Sequence, residues 1–147
     1  RSLAPHADWV KIMTYGHAWG PAGLPYEIAL LARWWAAHDA TNTGQALRHL
    51  AALLGLPLPA DEAALQRDGL AAEALAVELR RARALSKTPV LAGLELVEIP
   101  GVCSLQEAQV RSALSALCGA GMDGLALSWD LWRMPPERLQ WITPHTD

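Results

Sequence analysis

The amino-acid sequence predicts an α/β protein built on a small parallel sheet. Three short apolar runs punctuate the chain, helical patterns lie between them, and turn residues separate each run from the next helix. Runs that are apolar nearly throughout, rather than alternating, mark strands covered on both faces, the usual state of a parallel sheet.

The first run is Asp8-Trp9-Val10-Lys11-Ile12-Met13-Thr14-Tyr15. Strand alternation puts Lys11, Met13 and Tyr15 on one face and Val10, Ile12 and Thr14 on the other. The β-branched set suits a helix-covered outside, so Lys11, Met13 and Tyr15 are expected to point inward. A long crossover follows, from Gly16 to Lys87, with helices expected near 25–38, 43–54 and 70–85. Thr43 is placed to cap the second helix, and LPLPADEAA, residues 56–64, reads as a proline-punctuated link. The second run spans Thr88–Leu96. Ser104-Leu105-Gln106-Glu107 then has the form of a capping box that starts a helix running to Gly119. The third run is Gly124–Asp130, and Pro135-Pro136-Glu137 opens a last helix with prolines where a first turn accepts them.

Length and composition narrow the classes. The 147 residues suit one domain, and a hydrophobic fraction of 52% against 18% charged excludes a disordered chain. A net charge of −3 argues against an electrostatic nucleic-acid binder, and Arg80, Arg81 and Arg83 read as the solvated face of a helix. No apolar run approaches the roughly 20 residues of a membrane span. The opening RSLAPHAD has neither a leader pattern nor an initiator Met, which predicts a processed chain or a piece of a longer one. Cys103 and Cys118 are expected as free thiols. The five histidines form no HxxxH or HxH pair, so no metal is expected, and without a phosphate-binding glycine loop no cofactor is expected.

Strand–helix alternation gives three βα units. Three parallel strands leave two open edges, whereas a closed barrel takes eight units and about 250 residues. Residues 1–147 are therefore read as a single domain, the C-terminal portion of a TIM (β/α)₈ barrel, with residues 25–87 a helical crossover inserted after the first strand. The remainder of the barrel, or self-association, would cover the edges. The alternative is a small open α/β sandwich.

In either architecture ligands meet the C-terminal ends of the strands. That rule selects Tyr15, His17 and Trp19 after the first strand, Glu95 and Glu98 after the second, and Ser128, Trp129, Asp130 and Trp132 after the third. Lys11 and Glu95 are expected to share a buried charged network, because an unpaired buried lysine is costly. Glu95 and Asp130 are the candidate catalytic carboxylates. Lys11, Tyr15, His17, Trp19, Glu98, Trp129 and Trp132 are the candidate binding groups. Seven tryptophans and no phenylalanine suit flat polar ligands as well as cores, and composition does not separate the two uses. Beside Asp130, the indole faces of Trp129 and Trp132 either cover a sugar ring whose hydroxyls the carboxylate accepts from, or fill core and rim.

These strand-end residues carry a resemblance. WVKIMTYGHAWGPAG resembles the sixth-strand segment of chitinase-like (family 18) glycoside hydrolases, where the strand ends in Met-Thr-Tyr-Asp. GLALSWDLW is similar to their eighth strand, which carries a tryptophan under the sugar. TPVLAGLELVEIPG takes the seventh-strand place and also resembles strand seven of the retaining-glycosidase clan, where a strand-end Glu is the nucleophile. The resemblance covers the three strands. It implies a carbohydrate-active barrel with Glu95 at the nucleophile position and Trp129 as a sugar platform. Gly16 stands where the chitinase-like motif has Asp, so only Tyr15 of that motif carries over. The strand-four acid is absent from this chain, which implies that the chain alone does not complete a glycosidase site. The alternative function is a non-catalytic barrel or α/β domain whose aromatic mouth binds a ligand or a partner.

Overall fold

A computed structural model describes residues 6–39, 41–128 and 130–143. Its elements are β1 (Val10–Ile12), α1 (Leu24–His38), α2 (Thr43–Leu54), α3 (Glu62–Asp68), α4 (Ala72–Leu85), β2 (Val90–Leu94), α5 (Glu107–Gly119) and β3 (Gly124–Leu127), followed by 3-10 turns at Leu131–Arg133 and Pro136–Trp141. The sheet is parallel in the order β1-β2-β3, with Val10 opposite Val90 and Leu91 opposite Gly124. The mixed α/β class with a parallel sheet is therefore as the sequence predicts.

Each strand is shorter than its apolar run. After Ile12 the chain closes a three-residue turn, Thr14 N–H donating to Ile12 C=O at 3.2 Å. The Thr14 hydroxyl then donates to Gly93 C=O at 2.6 Å, taking an acceptor that a longer β1 would have used. The turn also breaks the expected alternation. Lys11 and Tyr15 still meet, whereas Met13 is exposed beside Glu78 and Ala82 of α4.

The helices start where short polar side chains satisfy free N–H groups. Asn42, not Thr43, caps α2 by accepting from Gln45 N–H at 2.9 Å. Asp61 accepts from Ala64 N–H at 2.8 Å and so starts α3 inside residues 56–64, the segment expected to be a link, from which the helix runs on to Asp68. The expected box at Ser104 shifts by two residues: α5 begins after Gln106, whose N–H donates to the Gln109 side chain at 2.9 Å. Ser104 instead stands near Glu98 and helps hold that carboxyl below its ordinary value. The last expected helix forms only as a 3-10 turn.

The core joins one face of the sheet to the helices. Val90, Ala92 and Leu94 are buried with Leu47, Leu50, Leu65, Leu75, Leu79, Val110 and Leu117, and Ile12, Leu125 and Leu127 pack against them. Helices α4 and α5 lie against each other over this face. The opposite face carries Lys11, Leu91 and Ala126, of which Lys11 is exposed and the other two half-buried. Coverage on both faces, as the apolar runs implied, is thus not provided by the described residues. Among those residues no helix is long and apolar enough to cross a membrane.

Candidate functional site

The loop after β1 is positioned by the long crossover. Gly69, at the C-terminal end of α3, has φ +71° and ψ −152°, a conformation open to glycine alone. Its missing side chain lets the α3–α4 corner press on Gly16 and His17, and Leu70 N–H donates to Gly16 C=O at 2.7 Å. Leu75 of α4 fills the space beside Gly16, where a Cβ would lie 3.0 Å from its side chain. Trp19 N–H donates to Val102 C=O at 2.6 Å, tying this loop to the one after β2.

Glu95 lies one residue beyond β2 and is 1% exposed. Its Oε1 accepts from His17 N–H at 2.5 Å and stands 3.7 Å from the ring Nδ1 of His17. Its Oε2 is buried with no hydrogen-bond partner among the described residues. A buried carboxylate oxygen left bare is costly, so this geometry is not what core packing alone selects. The expected Lys11–Glu95 network does not form. Lys11 is exposed and donates to the Tyr15 hydroxyl at 2.8 Å, its ammonium 5.2 Å from that ring's centre. The physical reason is depth: an exposed ammonium keeps its water, while Glu95 lies deeper and is served by a loop amide. Tyr15 itself is 2% exposed and lies over Gly93, where a Cβ would come within 3.0 Å of its ring.

The remaining candidates fall into separate settings. Trp19 is half-buried and meets Tyr26 edge to face, ring centres 5.8 Å apart. Asp130 accepts from Trp132 N–H at 3.0 Å and so caps the 3-10 turn after β3. Trp132 is 97% exposed, a free flat face at that strand end. Trp129 lies outside the described residues. Glu98 is engaged by the Ser104 hydroxyl and by Arg138, which together hold its carboxyl below the usual range.

Arg138 has no counterpart among the residues the sequence singled out. Its buried guanidinium donates to Leu96 C=O at 3.1 Å and Val97 C=O at 2.7 Å, pairs with Glu98, and stacks 5.0 Å from the Trp141 ring. It therefore gathers the segment that leaves β2. In MPPERLQW it looks like any surface arginine, and no local pattern announces a partner some forty residues away.

Cys103 and Cys118 are both free, as expected. Cys103 is buried, and burial first, then the neighbouring Glu95 charge, push its thiol up to about 12. A thiol that stays protonated is a poor nucleophile. In the native protein, iodoacetamide at neutral pH is expected to label exposed Cys118 and spare Cys103 until denaturant is added. Mass spectrometry of the labelled peptides checks this; equal native labelling of both would contradict the burial. Among the described residues no group of His, Cys, Asp and Glu is placed to hold a metal ion.

The geometry thus brings His17, Glu95, Tyr15 and Trp19 around the ends of β1 and β2, and leaves Asp130 and Trp132 at the end of β3. No family model, curated protein or solved structure matches the chain.

Proposed function

We propose that this chain is the C-terminal portion of a (β/α)₈ barrel belonging to a carbohydrate-active protein, glycoside-hydrolase-like, with Glu95 as its central carboxylate. The observation that carries the reading is the buried Glu95, one oxygen of which has no partner among the described residues, at the C-terminal end of the middle strand. Barrel enzymes keep their reacting groups at that end.

Several features support the barrel. The strands neighbour one another in sequence order, and the helices of both crossovers meet over one face of the sheet. That is a singly wound arrangement; a doubly wound sheet puts helices on both faces. Lys11 and the Tyr15 hydroxyl occupy the other face, the one a closed barrel encloses. Sugar binding is supported by Trp132, exposed beside Asp130 at the end of the neighbouring strand.

The test is Glu95→Gln in the full-length protein that carries this chain, assayed against a panel of aryl glycosides. The variant is isosteric and keeps the acceptor for His17 N–H. Turnover is expected to fall about a hundredfold or more with the fold intact. Unchanged turnover in a folded variant would remove Glu95 from the site and leave Asp130 or Glu98 as the carboxylate. Absence of any glycoside binding would favour the non-catalytic reading, in which the aromatic mouth holds another ligand.

A further inference from the structure

Two grooves meet at His17. The larger, about 450 Å³, runs past Leu70, Ala72 and Ser112, while the smaller, about 230 Å³, is bounded by Trp19, Gln66 and Ser104. His17, Gly69 and Gln109 line both, whereas Glu95 lines neither. The imidazole stands between the buried carboxylate and this open space. Its Nδ1 is 3.7 Å from Glu95 Oε1, and its Cδ2 edge lies toward Gly69, where a Cβ would stand 2.8 Å away. A histidine backed by a carboxylate and facing a groove is the general form of an oriented base.

We propose that Glu95 acts through His17: His17 is the ligand-contacting base of the grooves, and Glu95 is its positioning residue. This rests on the carbohydrate reading for the ligand class and differs from it on which side chain meets the ligand. In this dyad the Nδ1 side, 3.7 Å from Glu95 Oε1, carries the proton toward the carboxylate, and Nε2 is the atom that accepts from a ligand. Gln66, Ser104 and Gln109 supply uncharged donors and acceptors and Trp19 an aromatic surface, while the two charged lining residues, Arg67 and Asp68, pair with each other at 2.6 Å, so the grooves suit a neutral, hydroxyl-bearing molecule. A ligand hydroxyl gives its proton to Nε2, and the resulting imidazolium is held against Glu95. Return of the proton to the bound oxygen restores both groups. Oε1, the oxygen nearest the ring, accepts from His17 N–H and, with its second lone pair, can take the charged imidazole as well.

The test uses imidazole as a probe in the full-length protein. His17→Ala opens a hole beside the grooves, and titrated imidazole is expected to bind there saturably, shifting the Trp19 indole and Gln109 side-chain amide signals in NMR spectra. Adding Glu95→Gln is expected to weaken that binding about tenfold, the worth of one charge-assisted contact. Binding that is absent, or indifferent to Glu95, would overturn the proposal. In parallel, His17→Ala is expected to lower aryl-glycoside turnover about a hundredfold and imidazole to restore part of it. If Glu95→Gln abolishes turnover while His17→Ala leaves it intact, Glu95 meets the substrate directly; the dyad falls and the carbohydrate reading stands. If imidazole binding depends on Glu95 but no glycoside is turned over, the dyad stands and the carbohydrate reading falls. Should the alanine variant not fold, His17→Ser repeats both measurements.

Discussion

Gly69→Ala is expected to destabilise the protein by about 3 kcal/mol or more and to displace His17 from Glu95. Two separate costs combine. The backbone at Gly69, φ +71° and ψ −152°, belongs to a region that residues with a Cβ avoid. The added methyl would also overlap the Gly16 carbonyl oxygen and sit 3.0 Å from His17 Cα. Both are backbone atoms, so no side-chain rotation relieves the clash. The corner must move away, which lengthens the Leu70 to Gly16 hydrogen bond and releases the loop that presents His17 N–H to Glu95. Urea unfolding measures the first effect, and loss of the native His17 amide resonance reports the second. A variant of native stability with that resonance unshifted would contradict this account.

Arg138→Met is expected to cost about 2–3 kcal/mol, because it strips donors from buried carbonyls while leaving their burial unchanged. Leu96 and Val97 lose their guanidinium contacts, and Glu98 loses its ion pair. Methionine refills much of the volume, so the loss is polar rather than a cavity. The variant should also change the response to acid. In the folded protein the Ser104 hydroxyl, followed by Arg138, holds the Glu98 carboxyl below its ordinary value of 4.5. A depressed folded value means that Glu98 contributes stability above the ordinary range, lost as pH falls through the folded value. Removing Arg138 should shrink that acid-side loss without abolishing it, since Ser104 remains. Urea midpoints at neutral pH and near pH 3 measure both effects; a parallel drop in wild type and variant would exclude Arg138 from the Glu98 equilibrium.

The chemistry at the strand ends was partly legible. Strand-end logic named Glu95, His17, Tyr15 and Trp19, and the structure gathers these residues around β1 and β2. Pairing was not legible. Lys11 looked like the partner for Glu95 because both sit on apolar strands at similar depth, but a hydroxyl four residues along the chain and open solvent serve it better. Glu95 is bonded by a backbone amide, and an amide carries no sequence signature. Gly69 and Arg138 stayed hidden because one acts by an absent side chain and the other by contacts that skip some forty residues.

What the sequence determined by itself is the α/β class, the order of three strands around a long helical crossover, and the extent of α1, α2, α4 and α5 to within a few residues. Those follow from local quantities: apolar period, helix propensity and the turn residues between elements. The tertiary structure alone decided where each strand stops, which face of the sheet is covered, and which side chain meets Glu95. The turn at Thr14 ends β1 only because Gly93 C=O is there to receive its hydroxyl. The α3–α4 corner reaches His17 only because Gly69 lets two backbones touch. Such contacts join segments far apart in the chain, and their energy depends on distances that no stretch of sequence contains.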